Sequence, residues 1–326
     1  MSFIDPYGRK IDYVRLSLTD RCNLRCFYCL PAGSSNFAPS SSRLGLDEIE
    51  RIMAAFAKLG VHRVRLTGGE PLVRKGVAGL AARLHALPGI DDLSMTTNAL
   101  LLERQADALF EAGVSRLNVS LDSLDAERFS RITHGGDLAK VLRGLEKARA
   151  VGFSPIKINM LVMKGINDDE VVAMARWCAA QGFTLRYIET MPMGAGGSDA
   201  VSRYVPLEVV RQQLEQHFTL VDDIASGGGP ARYLRIVGTQ TKIGLITPLS
   251  RHFCASCNRV RLGANGTLYM CLGNSHSVDL KAPLREGISD DGLMELIRQS
   301  IALKPWQHNF NETSAPVDRA MAATGG

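Results

Sequence analysis

The sequence lacks several features that would place it in a common class of protein. It has no apolar run near the roughly 18 residues that a membrane-spanning helix needs, and its opening, MSFIDPYGRK, has no apolar signal-peptide core. Aromatic residues make up only 6% of the chain, too few for the stacking strips typical of RNA-binding proteins. The G-x4-G-K-[ST] phosphate loop is absent, which excludes binding of a triphosphate through such a loop. We therefore expect a cytoplasmic protein that binds neither membrane nor nucleic acid.

The composition is that of a folded globular chain. Of its 326 residues, 45% are hydrophobic and 22% are charged, so the chain can bury a core and is not disordered. The 38 Lys and Arg residues exceed the 33 Asp and Glu residues by five, an excess too small and dispersed to indicate nucleic-acid binding. The length allows one large domain, or a large domain and a small one.

The cysteines are the most informative residues. Their number is seven, and an odd count without a signal peptide argues against a disulfide framework and for thiolate metal ligands. Cys178 lies in a helical pattern and is interpreted as a buried core thiol. The other six form one triplet near each end of the chain: Cys22, Cys26 and Cys29, and Cys254, Cys257 and Cys271.

Short strand patterns alternate with helical patterns along the first part of the chain. This order predicts parallel strands with right-handed crossovers, and because a closed barrel needs eight such units, six predict an α/β fold that is an open, partial (β/α)6 barrel of the TIM type. The predicted strands are Val14–Leu18, Arg63–Thr67, Leu93–Thr97, Leu117–Leu121, Ile156–Val162 and Thr184–Glu189, and the predicted helices are Asp47–Leu59, Val77–Leu87, Glu103–Ala112, Lys140–Val151, Asp168–Gln181 and Leu207–His217.

A Gly-rich stretch at 225–230 is interpreted as a linker. It divides the chain into a barrel domain, 1–224, and a C-terminal α+β extension, 231–326, that carries the second triplet. The extension is predicted to contain strands Tyr233–Val237 and Lys242–Thr247, a hairpin of Arg259–Leu262 with Leu268–Cys271, and a helix over Asp290–Leu303. The polar tail from about Asn309 is expected to be mobile.

One face of each predicted barrel strand is polar, which a closed apolar core would not allow. Cations recur on these faces, at Arg15, Arg63, Arg65, Lys157 and Arg186. Because an unpaired buried charge costs several kcal/mol, the pattern favours a positively charged cavity that receives an anionic ligand. The alternative is that these cations point outward and pair with acids on the helices.

The first cysteine triplet directly follows the first strand, at the end where barrel active sites lie. Its spacing of three and then two residues lets a short loop reach three corners of an iron–sulfur cube, and the fourth iron then stays open for catalysis. Zinc is the alternative, but structural zinc needs four ligands, and no fourth Cys or His stands nearby.

These residues resemble a known superfamily. The CxxxCxxC motif at 22–29 is similar to the signature of radical S-adenosylmethionine (SAM) enzymes, and Thr67-Gly68-Gly69-Glu70-Pro71, after the second strand, resembles their GGE motif. Glycine fits such a position because its backbone groups are open to the methionine part of SAM and no side chain obstructs them.

The second triplet narrows the resemblance to one family. The string FCASCNRVRL at 253–262, the opening RLSLTDRCNLRC at 15–26 and the final Thr-Gly-Gly resemble the GTP 3′,8-cyclase (MoaA) family of molybdenum cofactor biosynthesis over nearly the whole chain. The resemblance implies two [4Fe-4S] clusters. By the same resemblance, the first would cleave SAM to a 5′-deoxyadenosyl radical that abstracts the ribose 3′-hydrogen of GTP, and the product would be (8S)-3′,8-cyclo-7,8-dihydroguanosine 5′-triphosphate.

The resemblance also implies roles for individual residues and partners. The six triplet cysteines would ligate the clusters, and the C-terminal glycines Gly325 and Gly326 would reach toward the active site, although a frayed terminus is an equal alternative. The reaction would require an electron donor, and cyclic pyranopterin monophosphate synthase would accept the product. A homodimer is one possible oligomeric state. The SAM contacts would be Tyr28, Gly69, Ser120 and Met191, and the GTP contacts Arg15, Arg65, Thr96, Lys157, Arg186, Arg259 and Arg261.

Two other functions compete with this interpretation. A radical SAM enzyme that matures peptides would also carry an auxiliary cluster, but usually with more than the three cysteines of the second triplet. A zinc-stabilised RNA-binding protein is compatible with the positive charge, but it would need complete zinc knuckles and stacking aromatics. A measurement of GTP binding distinguishes a GTP cyclase from a peptide-maturing enzyme. Analysis of iron and sulfide distinguishes it from a zinc-stabilised RNA-binding protein.

Overall fold

Six parallel strands alternate with helices in the first part of the chain. The computed structural model describes residues 3–30, 37, 39–194, 197–223, 229–310 and 319–325. The strands are β1 (Tyr13–Ser17), β2 (Arg63–Thr67), β3 (Asp92–Thr97), β4 (Arg116–Ser120), β5 (Ile156–Leu161) and β6 (Thr184–Ile188). The helices between them are α1 (Leu46–Lys58), α2 (Val77–His85), α3 (Leu102–Glu111), α4 (Ala126–Thr133), α5 (Leu138–Val151) and α6 (Val171–Gln181). The predicted partial barrel is confirmed, with small shifts at the element ends.

The prediction of a single helix between β4 and β5 is wrong, because α4 precedes α5. The short helix α4 is amphipathic, and the Asp125 side chain caps it by accepting a hydrogen bond from the backbone N–H of Arg128 at 2.7 Å. Its last turn supports the first cysteine loop, since Ile132 and Thr133 accept backbone hydrogen bonds from Phe27 and Arg25.

The C-terminal part of the chain extends the same sheet at both edges. Its elements are α7 (Gly197–Ser202), α8 (Leu207–Glu215), β7 (Leu220–Asp223), β8 (Arg232–Ile236), β9 (Lys242–Ile246), β10 (Arg259–Leu262), β11 (Thr267–Tyr269), β12 (Ser277–Asp279), α9 (Lys281–Arg285), α10 (Asp290–Ser300) and α11 (Met321–Thr324). The strand order is β12-β11-β10-β1-β2-β3-β4-β5-β6-β9-β8-β7. The boundary at 224–231 therefore stays a prediction about domains, while the strands on its two sides share one sheet.

Strand β10 is parallel to β1 and lies next to it, which the sequence did not indicate. The hairpin of β10 with β11 was predicted, but Cys271 lies beyond the end of β11 at Tyr269. The register pairs Tyr13 with Arg259 and Arg15 with Arg261. The second cysteine region is thereby joined to the edge of the barrel that also carries the first.

The apolar core lies between the sheet and the helices. The strand residues that face the helices, such as Val14, Leu16 and Ile158, are fully buried, as is the Cys178 thiol on α6. The interpretation of Cys178 as a core thiol is confirmed. No helix among the described residues combines the length and apolar character that crossing a membrane requires.

Candidate active site

A cavity of about 310 Å³ lies at the carboxyl ends of the parallel strands. Its volume falls in the range of small-molecule sites, roughly 300–1,000 Å³. Both cysteine triplets line it, so the two loops open into one space. It is also lined by every predicted SAM contact and by all but one of the predicted GTP contacts: Tyr28, Gly69, Ser120 and Met191, and Arg15, Arg65, Thr96, Arg186, Arg259 and Arg261.

The first cysteine loop is a tight turn held from several sides. The backbone N–H groups of Cys29 and Leu30 both donate to the carbonyl of Cys26 at 2.9 Å. The Tyr28 hydroxyl donates to Asp122 Oδ2 at 2.6 Å, and Asp122, which follows β4, also accepts a hydrogen bond from the Leu161 backbone at 2.9 Å. The loop is thus tied to two neighbouring strand ends, and its three sulfurs reach the cavity wall.

Burial keeps the thiols of this loop protonated when no metal is bound. It raises the pKa of Cys29 to about 12 and the pKa of Cys26 well above its usual range, with nearby Asp122 adding to the effect. Because thiolates are the metal-binding form, binding of iron here releases protons. Iron would add positive charge to a loop in which Arg25 already opposes, without cancelling, the rise in the pKa of Cys22.

The glycines after β2 make room for the first cysteine loop. A Cβ atom on Gly69 would lie 2.4 Å from the carbonyl oxygen of Arg21, and one on Gly68 would lie 2.4 Å from the carbonyl oxygen of Thr19. The Gly69 N–H donates to Thr19 O at 2.7 Å. Close approach of two backbones is therefore one physical reason for the Gly-Gly pair. It adds to the access for a ligand that the sequence suggested.

Substituting Gly69 with alanine should disrupt the first cysteine loop. The new methyl group would overlap backbone atoms that cannot rotate away, and we expect a loss of about 2 kcal/mol or more in the free energy of unfolding, together with poor iron incorporation. Chemical denaturation and iron analysis of the reconstituted protein measure both. Gly79→Ala in α2 is the matched control, because nothing lies within 4 Å of its Cβ position. Equal iron content in the two variants would contradict the packing argument.

Glu70 of the same motif is a structural carboxylate. It is almost fully buried and accepts hydrogen bonds from Leu72 N, Thr97 Oγ1 and Asn98 N at 2.7–3.0 Å. Burial raises the pKa of Glu70 to about 7 in spite of these donors. Its position ties the end of β2 to the end of β3 beside the cavity.

The second cysteine loop comprises two segments on either side of the β10–β11 hairpin, one with Cys254 and Cys257 and one with Cys271. It is supported by two cations that sequence reasoning missed. Arg9, from the N-terminal turn, donates to the carbonyl of Cys254 at 2.8 Å. Lys304, buried after α10, donates to the carbonyls of Arg259 and Met270 at 2.8–2.9 Å, and its Nζ lies 3.6 Å from Cys257 Sγ. Burial opposes ionisation of Cys257, but Lys304 and Arg259 outweigh it and lower the pKa of Cys257 to about 6.

The donor sets fit clusters better than single ions. All six thiols are free, yet no three His, Cys, Asp or Glu side chains among the described residues lie close enough together to hold one metal ion. In an iron–sulfur cube each cysteine binds a different iron, so its sulfurs stand farther apart than those around a single zinc ion. Three cysteines that face one cavity, on one loop for the first triplet and on both sides of the β10–β11 hairpin for the second, suit a cube with one open iron.

Arginines form the floor of the cavity. Arg65, Arg15 and Arg261 occupy one row across β2, β1 and β10, and neighbouring strands are about 4.8 Å apart. Burial and the repulsion from neighbouring arginines, partly offset by Tyr13, lower the pKa of Arg15 and Arg65 to about 10. Burial also lowers the pKa of Arg261 well below its usual range. The floor therefore gains stability when an anion binds.

Two polar atoms of the cavity floor have no hydrogen-bond partner among the described residues. Arg15 Nε and Thr96 Oγ1 are buried without a hydrogen-bond partner in the part of the chain that the structure describes. Among the described residues lining the cavity, Asp122 is the single acid. Arg186 is held in place by Asn118 and Asn159, whose side-chain oxygens accept its hydrogen bonds. This arrangement suits a polyanion such as a triphosphate.

Lys157 is half-buried near the amino end of β5 and, unlike the other predicted GTP contacts, does not line the cavity. It precedes Asn159 by two residues, so both are on the same face of β5. Its ammonium group is 5.9 Å from the Tyr233 ring centroid. Burial, followed by repulsion from Arg186, Arg116 and Arg65, lowers the pKa of Lys157 to about 7, and Asp92 opposes this shift.

The C-terminal segment enters the cavity instead of fraying. Met321 and Ala322 line the cavity, Arg261 donates hydrogen bonds to the carbonyls of Thr324 and Gly325, and Gly325 has a φ of +73°. The expectation of a mobile tail from about Asn309 is therefore wrong for 319–325, because the buried Arg261 offers partners to its carbonyls. Residues 311–318 and Gly326 lie outside the described residues.

Comparison with known proteins identifies the family. The model for the radical SAM superfamily matches residues 16–178, and the model for Molybdenum Cofactor Synthesis C matches residues 183–310. The chain is 46% identical to the GTP 3′,8-cyclase of Hydrogenovibrio crunogenus, with both chains fully covered, and 48% identical to GTP 3′,8-cyclase 1 of Pseudomonas aeruginosa over 99% of each. The chain belongs to the GTP 3′,8-cyclase family.

Solved structures agree on the fold of this family member. Streptococcus suis SuiB, determined with bound S-adenosylmethionine, is similar to the chain with a TM-score of 0.58 at 15% identity, and the match covers 96% of this chain and 77% of SuiB. A second SuiB structure matches with a TM-score of 0.59. Members of the radical SAM superfamily bind a [4Fe-4S] cluster and SAM. Family membership therefore implies a [4Fe-4S] cluster and SAM as cofactors of this GTP 3′,8-cyclase homologue.

Proposed function

We propose that the chain converts GTP into (8S)-3′,8-cyclo-7,8-dihydroguanosine 5′-triphosphate, the first step of molybdenum cofactor biosynthesis. The observation that carries the proposal is that both cysteine triplets line one cavity with a floor of arginines. Full-length similarity to named GTP 3′,8-cyclases supports it. In this proposal a one-electron donor is a further partner, and the product passes to cyclic pyranopterin monophosphate synthase.

The first cysteine loop would hold the cluster that binds SAM. When bound, the cluster and SAM together supply a 5′-deoxyadenosyl radical, chemistry that belongs to the cofactor rather than to the side chains. The protein's part is to orient SAM, and we assign that role to Tyr28, Gly69, Ser120 and Met191, which line the same cavity as the three cysteines. Asp122 fixes Tyr28 through its hydroxyl group.

The second cysteine loop would hold the second cluster, which would supply a binding place for the guanine of GTP. Cys254, Cys257 and Cys271 line the cavity beside β10 and β11, the strands that lie between β1 and the edge strand β12. Arg9 and Lys304 hold the backbone of this loop from behind, which leaves the cavity side open. The guanine and the triphosphate are then bound at different places, and the ribose lies between them.

The basic floor would bind the triphosphate. Charge-assisted hydrogen bonds from arginine to phosphate are strong and directional, and no backbone phosphate loop competes with them in this chain. We assign Arg15, Arg65, Thr96, Lys157, Arg186, Arg259 and Arg261 to this role. Fixing GTP at both ends holds the ribose near the place where the radical forms, which is catalysis by proximity. It also excludes water from the reacting atoms.

Lys157 should make GTP binding pH-dependent. With a pKa of about 7 in the free protein, Lys157 is mostly neutral at pH 8, and a bound triphosphate raises its pKa again. Binding at pH 8 should therefore take up a proton, close to one per GTP, and affinity should fall as pH rises above about 7. Calorimetry in two buffers of different ionisation enthalpy measures the uptake. Lys157→Arg, which stays charged, should abolish it, and equal uptake in both proteins would refute this role.

Product analysis tests the proposed function as a whole. The anaerobically reconstituted protein is incubated with GTP, SAM and a strong reductant, and the nucleotide fraction is examined by mass spectrometry and NMR. We expect a product isomeric with GTP that carries a new bond between C3′ and C8. Absence of GTP binding would instead favour the peptide-maturing alternative, and a colourless protein containing zinc would favour the RNA-binding alternative.

A further inference from the structure

The C-terminal segment 319–325 is attached to the second cysteine loop by one side chain, that of Arg319. Its Nη2 donates to three carbonyl oxygens of the loop, those of Cys271 at 3.3 Å, Leu272 at 2.7 Å and Asn274 at 3.2 Å. Its guanidinium carbon lies 4.2 Å from the centroid of the Tyr269 ring. A planar cation stacked on an aromatic face while donating to several carbonyls is a specific anchor.

From this anchor the segment crosses the cavity to the first cysteine loop. The backbone of Ala320 packs on Gly194, where an added Cβ would lie 3.2 Å from the Ala320 Cα atom. The backbone of Ala322 hydrogen bonds to the Cys29 sulfur. The segment ends at Gly325, whose Cα leaves no room for a side chain against Thr67. One short segment thus contacts both cysteine loops.

The acceptors of Arg319 belong to a loop without regular secondary structure. Residues 270–276 connect β11 to β12 and contain Cys271, the third cysteine of the second triplet. The three hydrogen bonds from Arg319 Nη2 require residues 270–276 to hold one conformation, in which the three carbonyl oxygens point to the same place. A thiolate bound to a cluster at Cys271 would fix that conformation, whereas a metal-free loop would exchange among several conformations.

We propose that Arg319 and Tyr269 are positioning residues that dock the segment 319–325, and that docking depends on the folded Cys271 loop. The anchor rests on the contacts above, while its dependence on a bound cluster rests on the proposed function. The segment completes the cavity wall next to both predicted cluster sites only after the second one has assembled. A chain that lacks the second cluster would then keep an open, incomplete site.

Hydrogen–deuterium exchange of the C-terminal peptide tests the anchor without substrate or turnover. In the reconstituted wild-type protein the amides of 320–325 should be protected, and in Arg319→Ala they should exchange on the order of tenfold faster or more. Tyr269→Phe, which keeps the ring face, should retain protection, and Tyr269→Leu should lose it. Unchanged exchange in both Arg319→Ala and Tyr269→Leu would overturn the anchor.

A separate variant tests the dependence on the cluster. Cys257→Ser removes a predicted ligand but none of the acceptors of Arg319, so loss of protection in this variant supports the coupling and retained protection overturns it. Because the measurement uses neither GTP nor SAM, a chain that fails to form the cyclic nucleotide could still show the anchor. As a functional readout, Arg319→Ala should raise the ratio of 5′-deoxyadenosine to cyclised product, whereas Tyr269→Phe should leave it unchanged.

Discussion

Replacing Cys254 with alanine is expected to reduce formation of the cyclised nucleotide below about a thousandth of the wild-type rate. Cys254 is the buried member of the second triplet, and Arg9 holds its carbonyl in place. Without the Cys254 thiolate, two cysteine sulfurs remain to bind the proposed second [4Fe-4S] cluster, which needs at least three cysteine ligands. The guanine end of GTP would lose its site, while the first loop keeps all its ligands.

Iron analysis separates this explanation from general unfolding. We expect the Cys254→Ala protein to bind about half of the wild-type iron, because the first loop is untouched. Cys178→Ala is the matched control, since this thiol is fully buried on α6 and lies outside the cavity. It should bind full iron and remain active, although it loses some stability from the small void. Full turnover in Cys254→Ala would rule out the two-cluster scheme.

Replacing both Arg259 and Arg261 with methionine should weaken GTP binding by about a hundredfold to ten-thousandfold. Each hydrogen bond from a charged donor contributes roughly 1.5–3 kcal/mol, and the two losses together correspond to this range of affinity. Both arginines lie on β10, which places them beside Tyr13 and Arg15. Equilibrium binding to the reconstituted protein without SAM measures the effect.

The stability of the ligand-free double variant should not fall with its affinity for GTP. Burial holds the pKa of Arg261 well below its usual range, so its charged form is disfavoured in the ligand-free fold, and an uncharged side chain of similar length avoids that cost. We expect an unchanged or higher unfolding temperature for the ligand-free variant. Arg235→Met on β8, a half-exposed position, should alter neither property. Unchanged GTP affinity in the double variant would remove these residues from the site.

The barrel could be predicted because its signals are local. Alternating apolar residues mark β1 to β6, and Gly152 and Gly182 end α5 and α6 in the left-handed conformation that the sequence suggests. The position of β10 could not be predicted in this way. Its neighbour β1 lies more than 200 residues earlier in the chain, and no periodicity within β10 identifies a partner strand.

For the site, too, the residues in short local motifs could be predicted and the residues that act over long sequence distances could not. The cysteine spacings and the Gly-Gly pair are short motifs, and the structure places both triplets on one cavity. The supports of the loops were missed, since Arg9, Lys304 and Arg319 act through backbone carbonyls far away in sequence. An isolated arginine or lysine in a polar stretch carries no sign of such a partner. The tail was expected to be mobile for the same reason.

The most direct test of the central claim follows a single hydrogen atom. If the ribose of GTP is held between the two cysteine loops, the radical formed at the first loop takes its hydrogen from C3′. GTP deuterated at C3′ should therefore yield 5′-deoxyadenosine that carries one deuterium, as measured by mass spectrometry after anaerobic turnover. Unlabelled 5′-deoxyadenosine accompanied by cyclised product would contradict the placement of the nucleotide described here.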